Sequence, residues 1–212
     1  MFNSGIKVKD LVAELKNTEV DIALDIPNLT YVTWLNALQQ LLYREVIKEQ
    51  RKWVFTKPFR NPISISSIQP QTGENQPIFE DIHAVYAGEC QLIKSTLSSG
   101  VIFPNTYFKE NNDIGYSIQA EHDNLTIVYY VRPAIIKVSD VYDEATNDYL
   151  IDESFFVMFP IEFIDLVKSK LRGEAYKLVN EDGIAAKWLN DYNTHLETFK
   201  AWIIEKYSTF GL

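Results

Sequence analysis

The stretch NLTYVTWLNALQQLLYREVIKEQRKW, residues 28–53, decides the fold of the amino-terminal part because it contains neither glycine nor proline. Apolar side chains recur in it every three or four residues, at Tyr31, Leu35, Leu38, Leu42 and Val46. That spacing places them on one face of an α-helix. Pro27, just before this stretch, and Asn28, its first residue, are typical of a helix start. The sequence therefore predicts one long amphipathic helix over 29–53.

Upstream, a shorter helix is predicted after Ser4, which is a residue type that caps helices. Its apolar face consists of Val8, Leu11, Val12 and Leu15. The two patterns together indicate a pair of helices at the amino terminus.

Downstream of residue 57 the pattern changes to short, strand-like segments. Four of the eight prolines fall in 58–77, and the segment 63–66 alternates between isoleucine and serine, as in a half-buried strand. Further strands are predicted at 81–86, 116–119 and 125–131. The polar residues 121–124 favour a hairpin between the last two, and a second hairpin is predicted to join 135–141 to 148–151.

The carboxyl-terminal part returns to helical spacing. Pro160 suits a first helical position, and Ile164, Val167, Leu171, Ala175 and Leu178 follow as one stripe. A break at 180–183, in which Asp182 is a candidate cap, precedes a second stripe, made of Ala185, Leu189, Tyr192, Leu196, Phe199 and Ile203. A short break between two such helices predicts an antiparallel helical hairpin.

These elements predict a single α+β domain over 1–212, with amino-terminal helices in 1–56, an antiparallel β-rich insertion over 57–153 and a helical hairpin in 154–212. Each helix has one apolar stripe that needs cover, so both helical pairs are predicted to join in one bundle. The residues expected to share its core are Leu35, Leu38, Leu42, Ile164, Val167, Leu171, Leu189, Leu196 and Phe199.

Composition narrows the function classes. The net charge of −9 argues against general binding to a phosphate backbone, and 46% hydrophobic residues are ample for a core. The single cysteine, Cys90, excludes an internal disulfide and is expected to be a small buried hydrophobe. No run reaches the roughly 20 apolar residues of a membrane span, and the charged amino terminus does not resemble a signal peptide.

A search for catalytic, cofactor and metal motifs finds none. The sequence contains no glycine-rich phosphate loop, no G-x-S-x-G, no H-E-x-x-H and no C-x-x-C. His83, His122 and His195 are far apart and share no motif. We therefore expect no catalytic residue, no cofactor and no bound metal.

Two charged stretches are candidate interaction surfaces. In 44–60, six basic residues oppose two acidic ones, and these are Arg44, Lys48, Arg51, Lys52, Lys57 and Arg60. In 138–153 there is no lysine or arginine, and the carboxylates Asp140, Asp143, Glu144 and Asp148 lead a set of six that ends at Asp152 and Glu153. The simpler interpretation of both is a solvated surface. The functional one is a pair of partner-binding patches, which suit a head-to-tail interface because they are opposite in charge.

The order of segments resembles that of the head–tail connector (adaptor or gateway) proteins of tailed bacteriophages. Three stretches carry the likeness: YVTWLNAL at 31–38, LTIVYYVRP at 125–133, and FPIEF at 159–163 followed by EDG at 181–183 and AAKW at 185–188. The resemblance implies a virion protein, assembled in the host cytoplasm, that forms a ring of identical subunits between portal and tail. The genome would pass through that ring without sequence-specific binding, and no membrane is involved.

Two other interpretations stay open at the sequence level. One is a non-catalytic bacterial binding module that uses the β-rich insertion as its recognition surface. The other is an enzyme with a site built from scattered aspartate, glutamate and tyrosine residues.

Overall fold

The computed structural model of the chain describes residues 4–18, 26–45, 52–58, 63–64, 78–95, 104–110, 113–117 and 124–208. Within these residues the helices are α1 (Val8–Thr18), α2 (Asn28–Glu45), α3 (Ile164–Leu178) and α4 (Asp182–Ser208). The strands are β1 (Lys52–Pro58), β2 (Ile63–Ser64), β3 (Ile78–Ala87), β4 (Cys90–Lys94), β5 (Thr106–Glu110), β6 (Asp113–Ser117), β7 (Asn124–Arg132), β8 (Val138–Asp143) and β9 (Asp148–Ile151). The fold class is α+β, as predicted.

Contacts divide the chain into two compact units. The helical unit comprises Met1–Ile47 and Pro133–Leu212, and the sheet unit comprises Lys48–Arg132. The sequence predicts an insertion over 57–153, whereas residues 133–153 belong to the helical unit in the structure. The β8–β9 hairpin is therefore packed with helices and is not part of the large sheet.

The long amino-terminal helix is shorter than its sequence pattern predicts. The structure ends α2 at Glu45, and residues 52–58 form β1, so the predicted extension of the helix to Trp53 is wrong. The stretch Trp53-Val54-Phe55-Thr56 is rich in aromatic and β-branched residues, which pack well on a sheet surface. Pairing of all seven β1 residues with β7 decides the competition in favour of the strand.

Helices α3 and α4 form the predicted antiparallel hairpin. A 3-10 turn at Ile161–Phe163 follows Pro160 and leads into α3, so this proline lies one residue before the helical region. Asn180 takes a positive φ of 63° at the break, where Glu181 donates its N–H to the Tyr176 carbonyl at 3.0 Å. This closure satisfies a carbonyl at the end of α3 and reverses the chain into α4.

Close packing and aromatic contacts hold α3 against α4. Leu189 packs directly against Gly173. A Cβ built on Gly173 would lie 2.7 Å from the leucine Cδ2, so the close approach requires glycine. The Arg172 guanidinium lies over the Trp188 ring at 4.6 Å, and the Lys170 ammonium lies over the Tyr192 ring at 5.2 Å. Cations over aromatic faces contribute about 0.5–1 kcal/mol each at exposed sites.

Buried residues of all four helices form one hydrophobic cluster in the helical unit. Six of the nine predicted core residues are buried in it, namely Leu35, Leu38, Leu42, Val167, Leu171 and Phe199. Ile164 and Leu196 are partly buried against the cluster, and Leu189 is half-buried against Gly173. The apolar stripes thus identified most core-facing positions of the helices, although Leu178, the last residue of the α3 stripe, is 55% exposed.

The sheet unit is a mixed sheet in which the described strands follow the order β1-β7-β3-β4-β5-β6-β2. All neighbouring pairs are antiparallel except β4 and β5, which pair in parallel over two residues. The predicted hairpin between 116–119 and 125–131 is wrong. Both edges of β7 are occupied, by β1 and β3, while β6 pairs with β5 and β2.

Three amide side chains of α2 bind the backbone of irregular segments. Asn36 donates from Nδ2 to the Ile136 carbonyl at 2.9 Å and accepts the Ile136 N–H at 2.9 Å. Gln39 accepts the N–H of Met158 at 2.7 Å, and Gln40 donates to the Pro133 carbonyl at 3.2 Å. Backbone groups in 133–136 and at Met158 belong to no helix or sheet that could pair them. The three amide side chains supply their hydrogen-bond partners instead.

We predict that Asn36→Ala destabilises the protein by about 2 kcal/mol, because it leaves the N–H and the carbonyl of buried Ile136 without their partner. Thermal unfolding measures the effect. Thr33→Ala is the matched control, since Thr33 is exposed on the same helix and bonds only the carbonyl of Leu29. Equal melting temperatures for the two variants would contradict the role of Asn36.

Buried tyrosines predict a loss of stability in alkali. Burial raises the pKa of Tyr107, Tyr116, Tyr129 and Tyr192, with added repulsion from Asp81 on Tyr107 and from Glu45 on Tyr192. The unfolded chain ionises these phenols near pH 10, whereas the folded chain keeps them neutral. The free energy of unfolding should therefore be unaffected by these groups below about pH 10 and fall as the pH rises further. Unfolding scans with tyrosinate absorbance measure this, and simultaneous titration of all tyrosines in the folded chain would contradict it.

Candidate interaction surface

The β8–β9 hairpin forms where the sequence predicts it and carries a structured turn. Asp143 accepts the N–H of Ala145 at 3.1 Å and the hydroxyl of Thr146 at 2.9 Å. Asn147 takes a positive φ of 52°, and its side-chain oxygen accepts the Tyr142 hydroxyl at 2.5 Å. Aspartate and asparagine favour such turns because their short side chains bond nearby backbone and tolerate the left-handed region.

Asp148 anchors the hairpin to the first two helices. Its Oδ2 accepts the N–H of Asn28, at the start of α2, at 2.7 Å and the Lys16 ammonium of α1 at 3.1 Å. Its Oδ1 accepts the N–H of Tyr149 at 2.8 Å, and the Asn28 amide bonds the Tyr149 carbonyl at 2.9 Å. A carboxylate at a helix amino terminus satisfies an orphan N–H and complements the helix dipole.

The prediction that Asp148 belongs to an exposed interface needs correction. Its side chain is only 10% exposed and paired with Lys16, whose side chain is 16% exposed. Asp148 therefore holds the hairpin in place and is not available to a partner.

The hairpin exposes aromatic and aliphatic side chains. The Tyr142 and Tyr149 rings, which belong to paired residues, meet edge to face with centroids 5.3 Å apart. Both rings are nearly half exposed, at 46% and 48%, and Val141 and Leu150 beside them in sequence are exposed as well. Sequence reasoning missed these four residues, although aromatic residues inside a hairpin without lysine or arginine were the available signal. Exposed aromatic side chains in a firmly anchored element are typical of a protein-binding surface.

The remaining acidic residues of 138–153 divide into two groups. Asp140 and Glu144 are exposed and form no ion pair with any residue that the structure describes. Glu153 pairs with Lys9 at 2.5 Å and with Lys7 at 3.8 Å. The hydrogen bond and the charge of Lys9 lower the pKa of the Glu153 carboxyl. The Ser154 backbone N–H lowers the pKa of Asp152. Uncompensated negative charge is therefore concentrated at Asp140 and Glu144, next to the tyrosine pair.

The described cations of the basic stretch 44–60 are not gathered around one helix end, as the sequence suggested. Arg44 lies in the last turn of α2, whereas Lys52 and Lys57 lie in strand β1. Lys48, Arg51 and Arg60 are outside the described residues.

Among the residues that the structure describes, the other candidate titratable groups do not assemble into a site. His83 is exposed and bonds the Tyr130 hydroxyl at 3.0 Å, His195 is half-buried on α4, and His122 is outside the described residues. Cys90 is exposed at the start of β4, so the expectation that it is buried is wrong. In the part of the chain that the structure describes, no three histidine, cysteine, aspartate or glutamate residues are grouped so as to hold a metal ion.

A groove of about 490 Å³ opens in the sheet unit where β3 and β4 diverge beyond their turn. Ile82, Ala84, Leu92 and Tyr107 line it together with His83, Gln91, Lys94 and Ile93, and the last of these is 72% exposed. It is a second candidate for a binding surface.

No protein-family model matches the chain, and no curated protein matches it either. None of the described helices has both the length and the apolar character that crossing a bilayer requires.

We predict that Asp148→Ala lowers the free energy of unfolding by about 2 kcal/mol, because it leaves the half-buried Lys16 ammonium and the Asn28 N–H without this partner. Asp148→Asn should cost less, since an amide oxygen can still accept the Asn28 N–H. Denaturant unfolding measures both variants against Asp140→Ala, an exposed and unpaired control expected within about 0.5 kcal/mol of wild type. A cost for Asp148→Ala as small as that of the control would refute the anchoring role.

Proposed function

We propose that this chain is a non-catalytic structural protein of the virion, which forms a ring of identical subunits between the portal and the tail of a tailed bacteriophage. The observation that carries the proposal is the anchored hairpin, whose exposed tyrosine pair and uncompensated carboxylates suit a protein contact. The resemblance of 31–38, 125–133 and 159–188 to head–tail connectors supplies the biological setting.

In the proposed assembly the helices form a bundle that makes the ring wall, and the sheet unit is inserted in sequence between the two halves of the helical unit. A common cluster of buried residues from α1, α2, α3 and α4 supports the bundle arrangement. The net charge of −9 suits a passage through which the genome moves without being held, because binding the phosphate backbone requires clustered cations. Self-association and contact with portal or tail proteins are the implied partnerships.

The proposal predicts that the purified chain associates into closed rings, or docks as a ring onto purified portal particles. Sedimentation velocity and negative-stain electron microscopy measure both. Arg51→Glu combined with Lys52→Glu should weaken portal docking or ring formation and flatten its salt dependence, while the subunit melts as wild type. A chain that stays monomeric and does not bind a portal would refute the proposal.

A second candidate function is a binding module that uses the sheet unit. The groove between β3 and β4 favours it, because apolar residues there lie beside Lys94 and His83. A monomeric or dimeric chain that loses a ligand when Ile93 is changed to aspartate would favour this alternative over the ring.

A further inference from the structure

We infer that the gap between β3 and β4 binds an extended segment of a partner protein, which adds to the sheet as a strand and presents a carboxylate to Lys94. The inference goes beyond the ring proposed above. It gives a ligand class to the groove of the second candidate function, and it rests on that function for the location of the site. It concerns the sheet unit alone, so it does not depend on whether the chain forms rings.

The ladder between β3 and β4 is short, although both strands continue beyond it. Within the described residues its last pair is Val85 with Leu92, whereas β4 runs on to Lys94. Two features separate the strands at this point. The β3–β7 ladder has a register shift between Ile82 and Ala84, and the end of β4 pairs in parallel with β5. A bulge bends its strand, so the β3–β4 ladder does not continue past it.

The separation leaves part of the β4 backbone facing the gap. Ile93 donates its N–H to the Asn105 carbonyl at 2.9 Å, and Ser95 donates to the Tyr107 carbonyl at 2.8 Å, so both groups point toward β5. Successive residues of a strand direct their backbone groups to opposite edges. The N–H and C=O of Lys94 therefore face β3, past the end of the described ladder. An open strand edge is a template for another extended chain.

The side chains around the gap favour an apolar segment that carries negative charge. The groove measures about 490 Å³, and Ile93, which lines it, is 72% exposed. Lys94 is exposed and forms no ion pair with any residue that the structure describes. No carboxylate is among the described residues that line the groove. A bound strand with apolar side chains and a carboxylate would cover Ile93 and pair with Lys94.

Titration of the full chain with a synthetic peptide tests the inference. The probe is a blocked peptide in which valine and threonine alternate around a central glutamate, and its analogue has a central lysine. Calorimetry should show that the glutamate peptide binds at least about tenfold more tightly, because only its carboxylate can pair with Lys94. Lys94→Glu should reverse this preference. The matched control is Lys137→Glu, an equal change of charge at an exposed lysine of the helical unit, which should leave the preference unchanged.

Two further measurements test strand addition itself. A peptide with proline in place of the residues that flank the glutamate should bind at least about tenfold more weakly, because proline lacks the N–H that pairs with a strand edge. The backbone amide of Lys94 should exchange readily with solvent in the free chain and become protected when the glutamate peptide is bound, as measured by NMR.

Melting temperatures verify that each variant folds. Lys94→Gln, which should equalise the two peptides, serves if the charge reversal does not fold. The inference is overturned if the glutamate peptide does not bind at its highest soluble concentration, or if Lys94→Glu keeps the wild-type preference. Undiminished binding of the proline peptide, or a Lys94 amide that stays unprotected, overturns it too. A chain that fails these tests but loses another ligand on Ile93→Asp retains the second candidate function, and absence of rings bears on the ring alone.

Discussion

Much of the helical unit depends on the need of buried backbone groups for hydrogen-bond partners. Segments 133–136 and 155–159 cross the core without belonging to a helix or to the large sheet, and several of their residues are fully enclosed. The amides of Asn36, Gln39 and Gln40 bind them from α2, while residues 4–8 pair with 155–157 from the other end of the sequence. An unpaired backbone group in such a place costs about as much as the hydrogen bond that it lacks.

These bonds explain how segments distant in sequence are brought together. The amino terminus and α2 both bind the approach to α3, and α2 also binds the segment that leads into β8. Asp148 then fastens the far end of the hairpin to the start of α2. The hairpin is thus held at both ends. Because it is fixed, Tyr142 and Tyr149 stay exposed and do not collapse onto the core.

The proposed role uses this division between anchored and available charge. Of the carboxylates in 138–153, those that contact α1 or the backbone serve the fold, and those that lack a cation partner can serve recognition. Asp148 and Glu153 belong to the first group, and Asp140 and Glu144 to the second. A run of acidic residues therefore contains two populations with different roles, although they are chemically alike in sequence.

The sequence by itself determined the α+β class, the four helices, the strands at 81–86 and 125–131, the hairpin near 138–151 and most core positions of the helices. Apolar spacing of three to four residues is a local property, so it is visible without knowledge of the partner surface. The end of α2, the pairing of β7, the boundary of the sheet unit and the burial of Asp148 were decided by tertiary structure. Each depends on which distant segment offers a strand edge, a free N–H or a lysine, as Lys16 does for Asp148, and such contacts leave no local pattern.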